Sequence, residues 1–560
     1  MSLYEGLSEE GKILLKEAME HLREGYNPDT HLVTANEQGQ RFISIRNSMY
    51  YALGLMILDE NWDTIKSISN AVMALQMDAP GEVFHGAFRH EPEEPLPPAR
   101  QLNAEKLGLY GRYYGDISWE EIMARFSQAL LHDSVLAKEA VRIEEMLRSS
   151  LSQTIPVAWL TYEPNTREFI LMCLAMLLEH GESRMDSGWA DAIDHSARLA
   201  MEGAIQRSES NFTPLNTNIQ CMHIFLLDYF GRRFREASWL ERAVSYAKGV
   251  LNRYREFHAC AEFNSPTYCG VDLSTLGFVR RYSKNPALIE ITDELEAGIW
   301  RDAGEFYNPA MRNFCGPYSR AYELDMSIHT CFCDLLFLGL GQKSFPWHPF
   351  SIESPCNPLL LLGDVRIPLD AKEAFLTPKP DQVITHQFRE LSERGDPENN
   401  SALCTATAWI TPNLMTGALS GSENPSYQLH PLVIFWKTES GLGTVKLLRC
   451  LPDGRMTHLH TVLFNGRADR NRLSMDVQSR VHRDVDVFFE IECDDMEKAI
   501  LAPDFWQLPG LNLILSAKAP APRVEKVNAR ILRVIYPARM DQPESLQMHF
   551  DLQALLPSEA

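Results

Sequence analysis

Six polar clusters, each leading into an apolar run, recur along the first 345 or so residues. Represented by Arg46, Asn103, Arg167, Asn218, Tyr268 and Arg320, they stand 57, 64, 51, 50 and 52 residues apart. A near-constant period of this size marks a repeat architecture. A single helix of about fifty residues would be unusual, so each period is expected to hold two helices of about 15 residues and their turns. Three of the runs, FILMCLAMLLEHGE, NIQCMHIFLLDYFG and IHTCFCDLLFLGLG, are strongly apolar and read as inner helices. Trp62 to Leu75, Trp119 to Leu130, Trp189 to Ile205 and Trp239 to Tyr254 carry charged faces, as outer helices should. Six inner helices surrounded by six outer ones describe an (α/α)6 toroid. Its inner helices would gather their opening residues at one rim. Helix N-termini bring free N–H groups and positive dipole ends there, which suits an anionic ligand.

The helical period stops near Gly341. Residues 342–360, with four prolines, read as a linker or wrapping loop. The pattern beyond is period two, in 404–410, 431–437, 457–463, 485–491, 530–536 and 547–552. Turn signals at Asp453-Gly454 and Asn465-Gly466 separate these runs, and 378–381, 391–400 and 519–523 read as loops. Short alternating strands between turns predict an antiparallel β-sandwich. The expected fold class is multidomain α+β, with an N-terminal (α/α)6 toroid over 1–345 and a linker plus β-sandwich over 346–560.

Charge and composition narrow the function. Of 560 residues, 53 are Lys or Arg and 75 are Asp or Glu, giving a net charge of −22. That balance repels nucleic acid and anionic membrane, and no basic run offsets it. It also disfavours a long polyanionic substrate unless local arginines override it. No run of 18 apolar residues is present, so no membrane-spanning helix is expected. The start, MSLYEGLSEEGKILLKEAMEHLREG, is an acidic amphipathic helix without the layout of a secretory signal. Eleven scattered cysteines, several in apolar helical context, fit reduced thiols. The expected compartment is the cytoplasm, or the exterior if a signal segment once preceded Met1. The sequons at Asn211 and Asn399 keep that second option open. His458 and His460 share one strand face but lack a third ligand, so no metal and no cofactor are expected. His329, nine residues into its run, reads as a core histidine. Oligomeric state is not encoded legibly.

The stretch Glu262-Phe263-Asn264-Ser265-Pro266-Thr267-Tyr268 reads as a polar loop entering a helix, with Asn264 and Ser265 as starters and Pro266 in the first turn. Tyr268 and Asn264 would then face the rim. The stretch resembles the E-x-S-P-x-Y segment of heparinase II/III-like polysaccharide lyases, with one extra residue between Glu262 and Ser265. Phe42 to Asp59, FISIRNSMYYALGLMILD, resembles their R-D-S-x-x-Y-A-x-x-L-L-E opening, with Asn47 in place of Asp. Trp409-Ile410-Thr411-Pro412-Asn413, with Met415 and Gly417, is similar to their T-P-D-x-x-L-G strand. Together these cover nearly the whole chain.

The resemblance implies cleavage of a bond β to a uronate carboxylate. A donor must neutralise that carboxylate, a base must take the C5 proton, and an acid must protonate the leaving oxygen. It implies Asn218 as the donor, with Asn216 second. The histidine that follows in many relatives is Ile219 here. Tyr268 is the expected base or acid, and Tyr318, in GPYSRAYELDM ahead of the sixth inner helix, the second phenol. Arg46, Arg167 and Arg320 are expected to bind substrate and to bring a phenol, ordinarily near pKa 10, within reach of ionisation. Glu262, Asn264 and His85 complete the expected substrate contacts, His85 from a loop that could cover the rim. Two alternatives stay open. One is a glycoside hydrolase using paired carboxylates from Glu262, Asp325, Glu168 and Asp272. The other is a catalytically silent sugar-binding relative, suggested by Ile219. The expected partner in all three is an oligo- or polysaccharide, for the lyase an anionic one.

Overall fold

The computed structural model describes residues 2–37, 40–82, 84–94, 163, 165–209, 216–326, 330–346, 357–390, 402–423, 428–439, 441–454, 456, 462–479 and 484–557. Asn103, Trp119 to Leu130, Asn211, His329, Asn399, His458, His460 and the loop 391–400 lie outside them.

The described helices are α1 (Glu9–Gly25), α2 (Ile45–Leu58), α3 (Trp62–Met73), α4 (Thr166–Gly181), α5 (Ser187–Glu209), α6 (Thr217–Phe234), α7 (Ala237–Phe257), α8 (Cys269–Tyr282), α9 (Pro286–Phe306), α10 (Thr330–Leu340) and α11 (Leu369–Leu376). Three of them, α1, α2 and α9, start on a side-chain cap. Ser44 Oγ accepts from Asn47 N at 3.2 Å, and Asn285 Oδ1 accepts from Ala287 N at 3.1 Å ahead of Pro286. In α6 every residue from Thr217 to Gly231 is buried, as a central helix requires. In α7 burial is confined to Ala243, Ala247, Val250, Leu251 and Tyr254, the stripe of a helix with one wet face. Central helices pack in the order α2–α4–α6–α8–α10, and α1 touches both α10 and α2. The charged helices α3, α5, α7 and α9 pack outside them, each on its neighbour in sequence.

The first half is not wholly helical. β1 (Tyr26–Asn27), β2 (Leu32–Glu37) and β3 (Gln40–Ser44) form a three-stranded antiparallel sheet, and β4 (Tyr307–Asn308) pairs with β5 (Asn313–Phe314). The cluster at Arg320 does not open a helix. Residues 315–326 run as an irregular strap, and α10 begins at Thr330. Tyr318 N and O pair with His430, and Ala321 N bonds Gln428 O at 2.9 Å, so the strap is tied to the sheet region. The proline-rich segment is also more than a linker: its end, Pro358–Leu362, is a buried 3-10 turn packed on α1 and α2.

The remaining strands are β6 (Gln382–Arg389), β7 (Leu403–Ile410), β8 (Leu414–Ser420), β9 (Leu432–Lys437), β10 (Leu442–Cys450), β11 (Val462–Asp469), β12 (Arg472–Ser479), β13 (Val485–Glu492), β14 (Ile500–Leu501), β15 (Phe505–Leu508), β16 (Leu511–Lys518), β17 (Arg523–Lys526), β18 (Ile531–Ala538) and β19 (Gln547–Leu555). An eight-stranded antiparallel sheet runs β17-β18-β13-β10-β9-β8-β7-β6, and a six-stranded one runs β11-β12-β19-β16-β15-β14. The sheets meet where Phe489 packs against Trp506 and Phe550, and where Ala468 N bonds Thr407 Oγ1 at 2.7 Å. The helical half contacts the larger sheet through Asn308 Nδ2, which donates to Thr411 O at 2.8 Å, and through Gly316 against Gly417. Asp453-Gly454 is a turn, with Gly454 at φ +84°. Asn465-Gly466 is not. It lies inside β11, paired with Asp476 and Met475, and the chain reverses at Arg470 instead. Gly466 packs closely there, since a Cβ would sit 2.3 Å from Met475 Cε and oblige that side chain to shift.

Candidate active site

The starts of α2, α4, α6 and α8, with the strap, surround a cavity of about 230 Å³. Arg46 and Asn47 come from the first turn of α2, Glu163 and Asn165 from just before α4, and Asn216 and Asn218 from the start of α6. Thr267 and Tyr268 precede α8, and Arg320 and Tyr322 come from the strap. Four helix N-termini are thus gathered around one space and bring their positive dipole ends to it. Arg46 is exposed at the mouth, its guanidinium carbon 3.6 Å from the centre of the Phe169 ring, a cation–π stack.

Behind this collar, the buried Glu262 ties three elements together. Its Oε2 accepts from Asn218 N at 3.1 Å and from Asn218 Nδ2 at 2.8 Å. Its Oε1 accepts from Arg320 Nη1 at 3.1 Å. Arg320 Nε donates to Gln428 Oε1 from the connection between β8 and β9. So clamped, the Arg320 guanidinium lies 5.0 Å from the Tyr268 ring centre, and the Tyr322 ring lies tilted against it at 6.1 Å. Desolvation pushes the Tyr268 phenol well above its ordinary pKa, and Arg320 only partly opposes this. Tyr268 is therefore a neutral proton donor near neutrality, not a ready phenolate. Asp272, buried one turn into α8, is also pushed well up, by burial and then by the Glu262 charge.

Of the residues singled out from sequence, Arg46, Asn216, Asn218, Tyr268 and Arg320 line this cavity. Arg167 does not. One helical step places it on the far side of α4, where it is fully buried and its Nε donates to His85 O at 2.8 Å. His85 belongs to that same remote contact. It is 3% exposed, its Nδ1 accepts from Ala79 N, and its loop presses on Gly203 of α5, where a Cβ would meet His85 O at 1.9 Å. Tyr318 is wholly buried, with its hydroxyl donating to Phe314 O at 2.7 Å, because the strap is extended there and turns the ring into the sheet interface. Asn264, at φ +54°, spends its amide on Cys315 O and Pro317 O. With Glu262 and Asp272 it faces a separate cavity of about 40 Å³. Glu168 is buried beside Arg207, outside both cavities.

Asn47, Tyr50, Glu163, Asn165, Thr267, Tyr322 and Asn357 also line the main cavity and were not singled out. Glu163 and Asn165 were within two to four residues of the chosen Arg167, and the signal lay in the cap position itself. Among the described residues, no three His, Cys, Asp or Glu side chains are grouped to hold a metal ion. The ten described cysteines form no disulfide, and no described helix is long and apolar enough to cross a membrane.

No curated protein matches this sequence. Among solved structures, a heparinase III gene product is 8% identical, with a TM-score of 0.32 over 99% of this chain and 85% of that one. Heparan sulfate lyase HepC from Pedobacter heparinus is 9% identical, with a TM-score of 0.31 over 98% and 89%. The baculovirus envelope protein ODV-E66, a chondroitin lyase, is 8% identical, with a TM-score of 0.17 over 71% and 77%. The sequence family described as "Domain of unknown function (DUF8769)" matches residues 12–124 and 144–352, more than half of the sequence and the source of the whole collar from Arg46 to Tyr322. The chain belongs to the DUF8769 family.

Proposed function

We propose that this protein is a carbohydrate-active lyase that cleaves uronate-containing oligo- or polysaccharide by β-elimination. Residues 1–345 would form an (α/α)6 toroid holding the site, and 346–560 a linker and β-sandwich that braces it. The packing order α1–α2–α4–α6–α8–α10, returning to α1, supports the ring, and the two antiparallel sheets in contact support the sandwich.

One observation carries the functional reading. Glu262 holds Asn218 and Arg320 in fixed positions on the same cavity wall as Tyr268. In the proposed reaction, Asn218 and the helix N-termini bind the uronate carboxylate, and Arg46 supplies positive charge at the mouth. Withdrawal of charge from the carboxylate acidifies C5. As the C5 proton leaves, the bond from C4 to the glycosidic oxygen breaks, and Tyr268 gives that oxygen its proton. Glu163 is the one carboxylate among the described lining residues, and it is the proposed acceptor of the C5 proton. A hydrolase would need two facing carboxylates on the cavity. Glu262 and Asp272 sit behind its wall and Glu168 lies elsewhere, which favours the lyase reading. A screen of uronate oligo- and polysaccharides for an ultraviolet-absorbing unsaturated product tests it. A product with new reducing ends and no such absorbance would favour hydrolysis, and ligand-induced stabilisation without product a silent binder.

A further inference from the structure

The cavity changes chemistry with depth. Its wall helices start at the collar and descend at about 1.5 Å per residue. Met222 is one turn below Asn218, Met172 two turns below Asn165, and Phe278 about 15 Å below Tyr268. At those depths the lining is Met172, Met222, Phe278, Leu359 and Leu360, with Val271 at the transition. The polar groups that reach this zone are already engaged. Ser274 Oγ and Thr275 Oγ1 both donate to Val271 O, at 3.0 and 2.8 Å. The Tyr50 phenol, pushed up by burial, pairs with Asn357. The formal charges on the lining are Arg46 and Arg320 against Glu163, and Arg320 is already paired with Glu262 behind the wall.

We propose that the cavity selects a uronosyl residue carrying one carboxylate and an apolar substituent, such as an aryl or acyl group, over bare or multiply sulfated uronates. The carboxylate meets the helix N-termini at the collar, and the substituent fills the apolar floor. The inference rests on the lyase reading only in placing a uronate at the collar. A sulfate pushed to the floor would lose its water without gaining donors there, which is costly. An apolar group gains free energy in proportion to the area that it buries.

Isothermal titration calorimetry of the full-length protein with glucuronic acid, phenyl β-D-glucuronide and a trisulfated heparin disaccharide tests this. Phenyl glucuronide is expected to bind at least tenfold more tightly than glucuronic acid, and the disaccharide no more tightly than glucuronic acid. Equal or weaker binding of the phenyl compound, tightest binding of the disaccharide, or no binding by any of the three would overturn it. Met222→Gln, with the milder Val271→Thr should the first not fold, is expected to shrink the phenyl preference, and an unchanged preference in a folded variant counts against the floor. Absorbing product from sulfated chains without phenyl preference would leave the lyase reading standing and remove this one. Phenyl preference without any absorbing product would do the reverse.

Discussion

Asn218 Nδ2 donates to Glu262 Oε2 at 2.8 Å, and the Asn218 backbone N–H reaches the same oxygen at 3.1 Å. This two-point hold fixes the amide at the start of α6, while the other carboxylate oxygen fixes Arg320. Glu262→Ala should therefore cost both stability and activity. It leaves the buried Arg320 without its countercharge, with an expected loss of about 3 kcal/mol in urea unfolding. Asn218→Ala keeps the ion pair, so its expected signature differs: a smaller stability loss, about 1–2 kcal/mol for the missing hydrogen bond, and turnover lowered by roughly 10²-fold or more.

Tyr268→Phe removes one hydroxyl and keeps the ring beside Arg320 and Tyr322. A structural tyrosine would lose about 1 kcal/mol of stability and nothing else. As the proton donor it should lose roughly 10²-fold or more in turnover with folding intact. Near-normal turnover by the folded variant would exclude it as the acid.

Gly417 of β8 reports whether the sheet braces the site. A Cβ there would lie 1.9 Å from Gly316 O and 2.6 Å from Pro317 N, so Gly417→Ala must displace the strap that carries Arg320. The expected result is a loss of about 1–3 kcal/mol, together with weakened substrate binding. A variant that is destabilised but binds normally would mean that the strap does not transmit the sheet's position to Arg320.

Acid sensitivity has an identifiable source in α6. His223 is fully buried, neither ring nitrogen has a hydrogen-bond partner in the protein, and burial lowers its pKa to about 3. Between that value and the ordinary 6.5, the unfolded chain binds a proton that the folded chain refuses. Stability contributed by this group is therefore complete above pH 6.5 and falls as the pH drops toward 3. His223→Leu removes that dependence and should gain about 2 kcal/mol relative to the parent between pH 7.5 and pH 5. Chemical denaturation at pH 7.5 and pH 5 checks it: an unchanged difference between the proteins at the two values would refute the assignment.

Part of this arrangement is legible in the sequence. Ser44 and Ser265 mark helix entries because their side-chain oxygens accept from the backbone N–H groups of Asn47 and Tyr268, whereas Asn165 and Asn216 precede α4 and α6 without such a bond. Choosing the facing residue was harder. Arg167 looked like the functional member of its cluster, yet a helix turns about 100° per residue, and two steps past Asn165 it points to α5. The strap defeated the reading most completely. Its polar cluster and period matched the other openings, but its pairing with His430 and Gln428 comes from residues about a hundred positions later, which no local pattern reports. The same holds for Asn465-Gly466. The pair is the usual hairpin dipeptide, here inside a strand and paired with Asp476 and Met475.

The most direct test measures two products at once from the same uronate oligosaccharide: the ultraviolet-absorbing unsaturated uronate and the new reducing end. Elimination requires one chromophore for every bond cleaved, with both signals lost together in Tyr268→Phe. Reducing ends that accumulate without the chromophore would contradict the account and mean that water, not Tyr268 acting within a β-elimination, completes the cleavage.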